Sequence, residues 1–114
     1  MKVAFIGAGS KGFTQGIVSD ILSYPALRKN IKFSFMDINE NRLKYIYDFF
    51  MQYKEDFPDK LKNVEFEMTD NQREAIKDAK YVLAAFMIGG WEAFKMDIDI
   101  PFKYGVTQNV GDTL

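Results

Sequence analysis

The stretch that most constrains the fold is Lys2–Gly12, in which a short apolar run leads into a turn with three glycines. Gly7, Gly9 and Gly12 fit the pattern G-x-G-x-x-G, and apolar residues at helical spacing follow them. A strand that enters a helix through such a turn is typical of the first βα unit of a dinucleotide-binding sheet. The sequence therefore predicts a nucleotide site in this turn, and a glycine-rich turn without a ligand is the alternative.

Each residue of the turn has an expected role. Gly7 allows a tight turn out of the strand, Gly9 lets the backbone approach a pyrophosphate, and Gly12 lets the helix pack close to the sheet. The free N–H groups of the helix N-terminus favour phosphate charge. Ser10 adds a hydroxyl donor, and Lys11 lies in the same loop, so both are candidate cofactor-binding residues.

An acidic residue, Asp37, ends the next apolar run, 25 residues beyond Gly12. A carboxylate at about this distance from the glycines accepts the ribose hydroxyls of a dinucleotide and repels a 2′-phosphate, which favours NAD over NADP. The alternative for Asp37 is a solvated cap on the following helix. Arg42 is expected either to stack on the adenine or to form an ordinary surface pair.

Apolar periodicity divides the chain into alternating strands and helices. The predicted strands span residues 3–6, 31–36, 64–68 and 81–88. The predicted helices span residues 12–23, 39–54, a short stretch to 78 opened by a capping box at 69–72, and 91–100, limited by Pro101. This order predicts an α/β fold with a parallel sheet and right-handed crossovers. The continuous apolar strands should be central, which gives a Rossmann-like three-layer half-fold with sheet order 3-2-1-4, formed as one domain over residues 1–114.

The predicted fourth strand ends at Gly89 and Gly90. Because the ends of strands 1 and 4 meet where such sheets bind ligands, we expect these glycines to approach the ribose or nicotinamide, and a plain turn is the alternative. This strand would also be an apolar edge, which invites pairing with another chain unless residues 91–102 cover it. Asp112, taken alone, is typical of a flexible tail.

Composition excludes several classes of site. The chain has no His and no Cys, so it cannot form a Ser-His-Asp or Cys-His arrangement, and a metal site would rest on carboxylates alone. The net charge of −1 gives no indication of a nucleic-acid or membrane partner. The strand that begins at residue 3 is too short for a signal-peptide core, and the absence of Cys favours a cytoplasmic location.

Six blocks of the sequence, in this order, resemble glycoside hydrolase family 4. They are Gly7-Ala-Gly-Ser10, Asp20-Ile-Leu-Ser-Tyr-Pro-Ala-Leu27, Met36-Asp-Ile-Asn-Glu-Asn-Arg42, Ile88-Gly-Gly90, Lys103-Tyr-Gly105 and Gly111-Asp-Thr113. Members of this family are α-glucosidases, α-galactosidases, 6-phospho-glycosidases and α-galacturonidases. The blocks are most similar to the α-glucosidase and α-galactosidase members, and the resemblance covers all 114 residues.

The resemblance implies NAD and a divalent metal, usually Mn²⁺, and a mechanism outside the two-carboxylate scheme of most glycosidases. NAD takes hydride from C3 of the sugar, a base removes the acidified C2 proton, the leaving group is eliminated, water adds, and hydride returns. Gly89 and Gly90 would border the nicotinamide and the sugar, and Asp112 would lie near the sugar pocket. The residues that would serve the cofactor are Gly7, Gly9, Ser10, Asp37 and Arg42.

In the family, the metal-binding Cys and His and the catalytic Tyr lie further along the chain. The resemblance therefore covers the amino-terminal NAD-binding domain alone, with no catalytic residue, no metal ligand and no expected activity by itself. Mn²⁺ is expected only for a full-length member, and a sugar substrate only with a carboxyl-terminal catalytic half. A second copy of the chain is another possible partner. The alternatives are a stand-alone regulatory NAD-binding module, the cofactor domain of a 2-hydroxy-acid dehydrogenase relative, and a methyltransferase.

Overall fold

The computed structural model describes residues 1–108. Strands and helices alternate along that part of the chain, with a 3-10 helix at Leu27–Lys29. The strands are β1 (Lys2–Ile6), β2 (Ile31–Met36), β3 (Val64–Thr69) and β4 (Tyr81–Ala84). The helices are α1 (Lys11–Ser23), α2 (Glu40–Asp56), α3 (Pro58–Leu61), α4 (Gln72–Ile76) and α5 (Gly90–Lys103).

The four strands form one parallel sheet in the order β3-β2-β1-β4, which confirms the predicted fold class and strand order. Val3 of β1 pairs with Phe33 of β2 on one side and with Tyr81 of β4 on the other. β1 and β2 are therefore the inner strands, and their carboxyl ends lie at the edge of the sheet where doubly wound folds bind ligands.

One face of the sheet carries the main core, which packs against α1 and α2. Phe5, Phe33 and Phe35 are buried on neighbouring strands, and Phe50 of α2 stacks on Phe35 at 5.5 Å between ring centroids. Each such ring contributes about 1.5–3 kcal/mol by its burial, so these aromatic residues hold α2 and the sheet together.

The opposite face is smaller and partly polar. Ile6, Met36 and Ala75 of α4 form a separate apolar cluster there. Beyond it, Glu67 of β3 lies 2.6 Å from Nζ of Lys32 and 3.0 Å from Nζ of Lys2. Burial alone would raise the pKa of the Glu67 carboxyl, but hydrogen bonds from the two lysines outweigh it and lower that pKa to about 2. This ion-pair network joins three strands.

Two predicted helix features are wrong. The short helix α4 begins after Asn71, whose side chain accepts hydrogen bonds from two first-turn N–H groups, and Thr69 instead bonds the Glu74 carboxylate. It ends at Ile76 rather than at residue 78. Helix α5 continues past Pro101 to Lys103, because a proline in the last turn removes only one hydrogen bond and that loss does not end the helix.

The fourth strand is shorter than the predicted 81–88. β4 ends at Ala84, and the N–H of Ala85 makes one further bond to the Ile6 carbonyl before the chain leaves the sheet. Apolarity alone does not separate a strand from the apolar loop that follows it.

In helix α1 the buried positions are Thr14, Val18 and Leu22, whereas Phe13 is 45% exposed.

Helix α5 has no buried residue. The described part of the chain measures 56 × 26 × 26 Å, with a radius of gyration of 16.9 Å. A compact domain of this length has a radius of gyration of about 13 Å.

Of the helices in residues 1–108, none combines the length and apolar character needed to cross a bilayer.

Candidate functional site

A cavity of about 810 Å³ lies at the carboxyl ends of β1, β2 and β4. The glycine turn forms one wall, the segment after β2 forms a second, and the segment after β4 forms a third. Its lining residues are Ile6, Gly7, Ser10, Met36, Asp37, Ile38, Asn39, Arg42, Gln72, Ala85, Phe86, Met87, Ile88 and Gly89. The volume is that of a small-molecule site and its place is the one expected of an open parallel α/β sheet.

The first two glycines of the turn are fixed by close backbone approach. Gly7 has φ +82°, and a Cβ there would lie 2.3 Å from the carbonyl oxygen of Ala85. A Cβ on Gly9 would lie 2.6 Å from the Cβ of Arg42 and 2.7 Å from Oδ2 of Asp37. Only glycine fits these two positions without displacement of its neighbours.

The turn is also held by hydrogen bonds to the sheet. The N–H groups of Gly7 and Ala8 both donate to the Met36 carbonyl at 2.9 Å. The buried Thr14 hydroxyl donates to the Ala8 carbonyl at 2.8 Å, which ties helix α1 back to the turn. The loop is therefore preformed, because hydrogen bonds within the chain hold its backbone against the sheet and helix α1.

The N-terminus of α1 faces this preformed turn. Ser10 is the N-cap residue, and its hydroxyl caps none of the first-turn N–H groups. The first turn carries no acidic side chain. Unsatisfied N–H groups and the helix dipole favour an anion at such a terminus, so a phosphate is the group that this wall suits best.

Asp37 links the turn to the end of β2. Its Oδ2 accepts a hydrogen bond from the Gly9 N–H at 2.7 Å, and its Oδ1 accepts one from the Asn39 N–H at 2.8 Å. Each carboxylate oxygen keeps a further lone pair for a ligand hydroxyl. The cap of α2 is Asn39, whose side chain accepts from the Arg42 N–H at 3.0 Å, so the alternative interpretation of Asp37 as a helix cap is wrong.

The structure brings part of the predicted set to the cavity. The residues that line it are Gly7, Ser10, Asp37, Arg42 and Gly89. Gly9 does not line the cavity itself but packs against Asp37, which does. Gly90, the first residue of α5, does not line the cavity.

Three further residues of the predicted set have other outcomes. Nζ of Lys11 lies 3.7 Å from the centre of the Tyr45 ring, and Lys11 does not line the cavity. A Cβ on Gly12 would meet no atom within 4 Å, so the close helix packing predicted for Gly12 is wrong. Asp112 lies outside the described residues.

The sequence prediction places residues 87–90 at the ligand-binding edge of the sheet, but it missed Ile38 and Phe86 as residues of the cavity. Ile38 is 90% exposed beside Asp37, and Phe86, Met87 and Ile88 form the wall after β4. The apolar run 81–88 predicts a strand through Ile88, whereas β4 ends at Ala84. The signal that could have identified Ile38 is its position directly after the acid that ends β2.

A metal site is not formed by the described residues. Within residues 1–108, no group of three or more His, Cys, Asp or Glu side chains is arranged to hold a metal ion. This part of the chain therefore does not fit a resident divalent cation.

A family model described as family 4 glycosyl hydrolase matches residues 2–114. The chain belongs to this family. An alpha-galactosidase from Rhizobium meliloti is 41% identical over 99% of the chain and 22% of the relative's own length. An alpha-galactosidase from Bacillus subtilis is 30% identical over 99% of the chain and 26% of its own length. The chain thus spans about a quarter of the length of these relatives.

Solved structures of the family agree with the fold. The 6-phospho-beta glucosidase from Thermotoga maritima, solved with NAD and glucose-6-phosphate, is 31% identical, with a TM-score of 0.72 over 94% of this chain and 25% of that one. A 6-phospho-alpha-glucosidase from gut microorganisms, solved with the same two ligands, is 33% identical, with a TM-score of 0.65 over 95% of this chain and 24% of that one. The Thermotoga maritima enzyme has also been solved with manganese. This membership does not favour the dehydrogenase and methyltransferase alternatives.

Proposed function

We propose that this chain is the NAD-binding domain of a family 4 glycoside hydrolase of the α-glucosidase or α-galactosidase type. The observation that carries the proposal is the cavity in which a preformed glycine turn, a free helix N-terminus and Asp37 meet. A dinucleotide site needs these three features. The glycine turn lets the backbone approach the pyrophosphate, the helix N-terminus favours the phosphate charge, and the carboxylate accepts the ribose hydroxyls. NAD in the solved family members supports the proposal.

In this proposal the turn from Gly7 to Gly12 and the first turn of α1 hold the pyrophosphate, with Ser10 as an added donor and Lys11 beside it. The free lone pairs of Asp37 accept the ribose hydroxyls, and its charge selects against a 2′-phosphate. Arg42 borders the adenosine half. Gly89 and Gly90 border the nicotinamide, and Asp112 lies toward the sugar. Bound NAD supplies a reversible hydride acceptor for the redox–elimination scheme of the family.

The hydrolysis of a glycoside by this scheme needs residues that the chain does not contain. The sequence has no His and no Cys, and residues 1–108 offer no metal cluster. We therefore assign sugar binding, Mn²⁺ binding and proton transfer to the other three quarters of a family-length protein. The absence of Cys is consistent with a reducing, cytoplasmic location for the assembly.

The test is to place a carboxylate where the phosphate is proposed to bind. In Ser10→Glu the new charge lies at the N-cap of α1. There it interacts favourably with the helix dipole but competes with the pyrophosphate for the same N–H groups. We expect isothermal titration to show at least a tenfold loss of NAD affinity, whereas the melting temperature should not fall. Ser19→Glu, on the exposed side of the same helix, is the matched control and should bind NAD as the wild type does.

Two results would contradict the proposal. One is equal NAD binding by the wild type and Ser10→Glu. The other is stronger stabilisation of the wild type by NADP or S-adenosylmethionine than by NAD in a thermal-shift assay.

A further inference from the structure

The cavity at the carboxyl end of the sheet has two ends of different chemistry. Among residues 1–108, the charged side chains that line it are Asp37 and Arg42, and both belong to the end formed after β2. The other end is formed after β4 by five consecutive residues, which we call the β4 wall. They are Ala85, Phe86, Met87, Ile88 and Gly89, and none of them has an ionisable side chain.

The β4 wall is apolar and accessible to a ligand. Its three large side chains, Phe86, Met87 and Ile88, are 58%, 65% and 82% exposed. Contact between these side chains and a flat ring is favourable, because both surfaces are removed from water. The contact offers no counter-charge, and burial of an unpaired charge is costly, so the wall favours a neutral ring over a charged one.

The charges at the other end of the cavity are too distant to compensate. Strand β1 lies between β2 and β4 in the sheet. Neighbouring strands are about 4.8 Å apart, so the ends of β2 and β4 are separated by about 10 Å. This is about the distance over which 0.1 M salt screens a charge. Asp37 and Arg42 also have opposite signs, so their potentials partly cancel at the β4 wall.

Helix α5 adds a positive potential to the same end. Gly89 lines the cavity and is also the N-cap residue of α5. The N-terminus of a helix carries a partial positive charge, which disfavours a cation close to it. Glu92 in the first turn of α5 offsets part of this charge, but its side chain does not line the cavity. An apolar surface and a helix N-terminus thus act against a cationic ring together.

We propose that the β4 wall makes this site bind NADH more tightly than NAD⁺, and so makes bound NAD⁺ a stronger hydride acceptor. The inference rests on the proposed function, in which the nicotinamide lies at Gly89 and Gly90. The ring of NAD⁺ carries one positive charge, and a hydride, which is a proton with two electrons, converts it to the neutral ring of NADH. The sugar carbon that gives up the hydride is oxidised to a ketone, and the proton of its hydroxyl group is released.

The binding preference sets the redox potential of the bound cofactor, because the two affinities and the two potentials form a closed cycle. For a two-electron couple, tenfold tighter binding of the reduced form raises the potential by about 30 mV. We expect NADH to bind at least fivefold more tightly than NAD⁺, which corresponds to a rise of about 20 mV. Such a rise favours the removal of hydride from C3 of the sugar.

The test compares two affinities measured on the same variant. Isothermal titration in about 0.1 M salt gives the dissociation constants of NAD⁺ and NADH, and their ratio cancels any change at the end that holds the adenosine and phosphates. Met87→Glu adds a counter-charge to the β4 wall and should shift the ratio at least fivefold toward NAD⁺. Met87→Lys should shift it in the opposite direction.

Met96→Glu is the matched control. Met96 is 55% exposed on α5 and does not line the cavity, so this variant should keep the wild-type ratio within about twofold. Equal affinity of the wild type for the two forms, or tighter binding of NAD⁺, would overturn the inference and leave the proposed function intact. So would an unchanged ratio in both Met87 variants. Absence of binding by both forms would instead contradict the proposed function, and the inference with it.

Discussion

Among single residues, the three glycines of the turn have different structural requirements. Gly7 and Gly9 face backbone or side-chain atoms at distances that no Cβ tolerates. Gly12 faces open space, although it completes the same sequence pattern. The motif therefore contains two positions fixed by packing within this chain, and a third that its own packing does not require to be glycine.

This difference gives a matched pair of substitutions. Gly9→Ala should lower the free energy of unfolding by about 1–3 kcal/mol, because its Cβ overpacks against Arg42 and Asp37. Gly12→Ala should raise it by up to about 1 kcal/mol, because alanine favours a helix and meets nothing here. Urea unfolding of both variants measures the difference, and equal destabilisation would contradict it.

Asp37 positions the loop as well as facing the proposed ribose site. Asp37→Ala removes the acceptor of the buried Gly9 N–H, which should cost about 1–3 kcal/mol of stability. NAD affinity should fall, and NADP affinity should not rise, because the loop that holds the phosphates loses its support. Denaturant unfolding and titration with both nucleotides measure these effects.

The control for Asp37→Ala is Asp20→Ala, an exposed position on α1 that should change neither property. Asp37→Asn keeps one acceptor oxygen and should retain more stability than Asp37→Ala. Gain of NADP binding at unchanged stability in Asp37→Ala would show that the carboxylate acts on selectivity alone.

At the scale of elements, the ion-pair network of Glu67 joins β1, β2 and β3 on the smaller face of the sheet. The pKa of Glu67 is about 2 in the folded chain, below its ordinary value of 4.5. A lowered pKa contributes stability that is present above pH 4.5 and lost as the pH falls toward 2. The chain should therefore lose stability in acid partly through this residue.

Glu67→Gln should remove that acid dependence. At pH 7 the variant should be about 1 kcal/mol less stable than the wild type, a modest value because the carboxylate is a third exposed and screened by solvent. The difference should vanish near pH 2. Melting temperatures from pH 2 to pH 7 measure it. Glu65→Gln is the control, since Glu65 is more exposed and lies 4.0 Å from Lys32, and a matching pH profile would contradict the role of Glu67.

At the scale of the whole molecule, the sheet with α1 and α2 is a compact body and α5 extends from it. The radius of 16.9 Å reflects this extension. In the chain alone, we expect backbone amides of α5 to exchange with deuterium within seconds, because α5 has no buried residue to hold it against the sheet. Amides of β1 and β2 should exchange orders of magnitude more slowly.

Exchange measured by mass spectrometry has an internal comparison. Helix α2 is a helix too, but it buries Leu43, Ile46 and Phe50 and should be protected. Protection of α5 equal to that of α2 would contradict an unpacked α5 in the chain alone.

Much of the fold could be predicted from local patterns. Continuous apolar runs, helical periodicity and the order of elements led to the parallel sheet 3-2-1-4, because each crossover is constrained to one hand. The glycine turn and Asp37 were found for the same reason, since their spacing is part of one βα unit. The predicted boundaries were wrong at the end of β4, which lies at Ala84, and in α5, which continues through Pro101. At such ends, adding or removing one residue changes the free energy of the element only slightly.

The sequence by itself therefore determined the class of fold and the position of the glycine turn, because these depend on periodicity and spacing along the chain. The family followed from the resemblance of six sequence blocks to its known members. Only the tertiary structure decided that Asp37 supports Gly9, that Gly12 lies free and that residues 85–88 lie beyond the end of β4. It also decided that α5 buries no residue. These are contacts between segments distant in sequence, and a pattern along one segment does not specify which atoms of another will meet it.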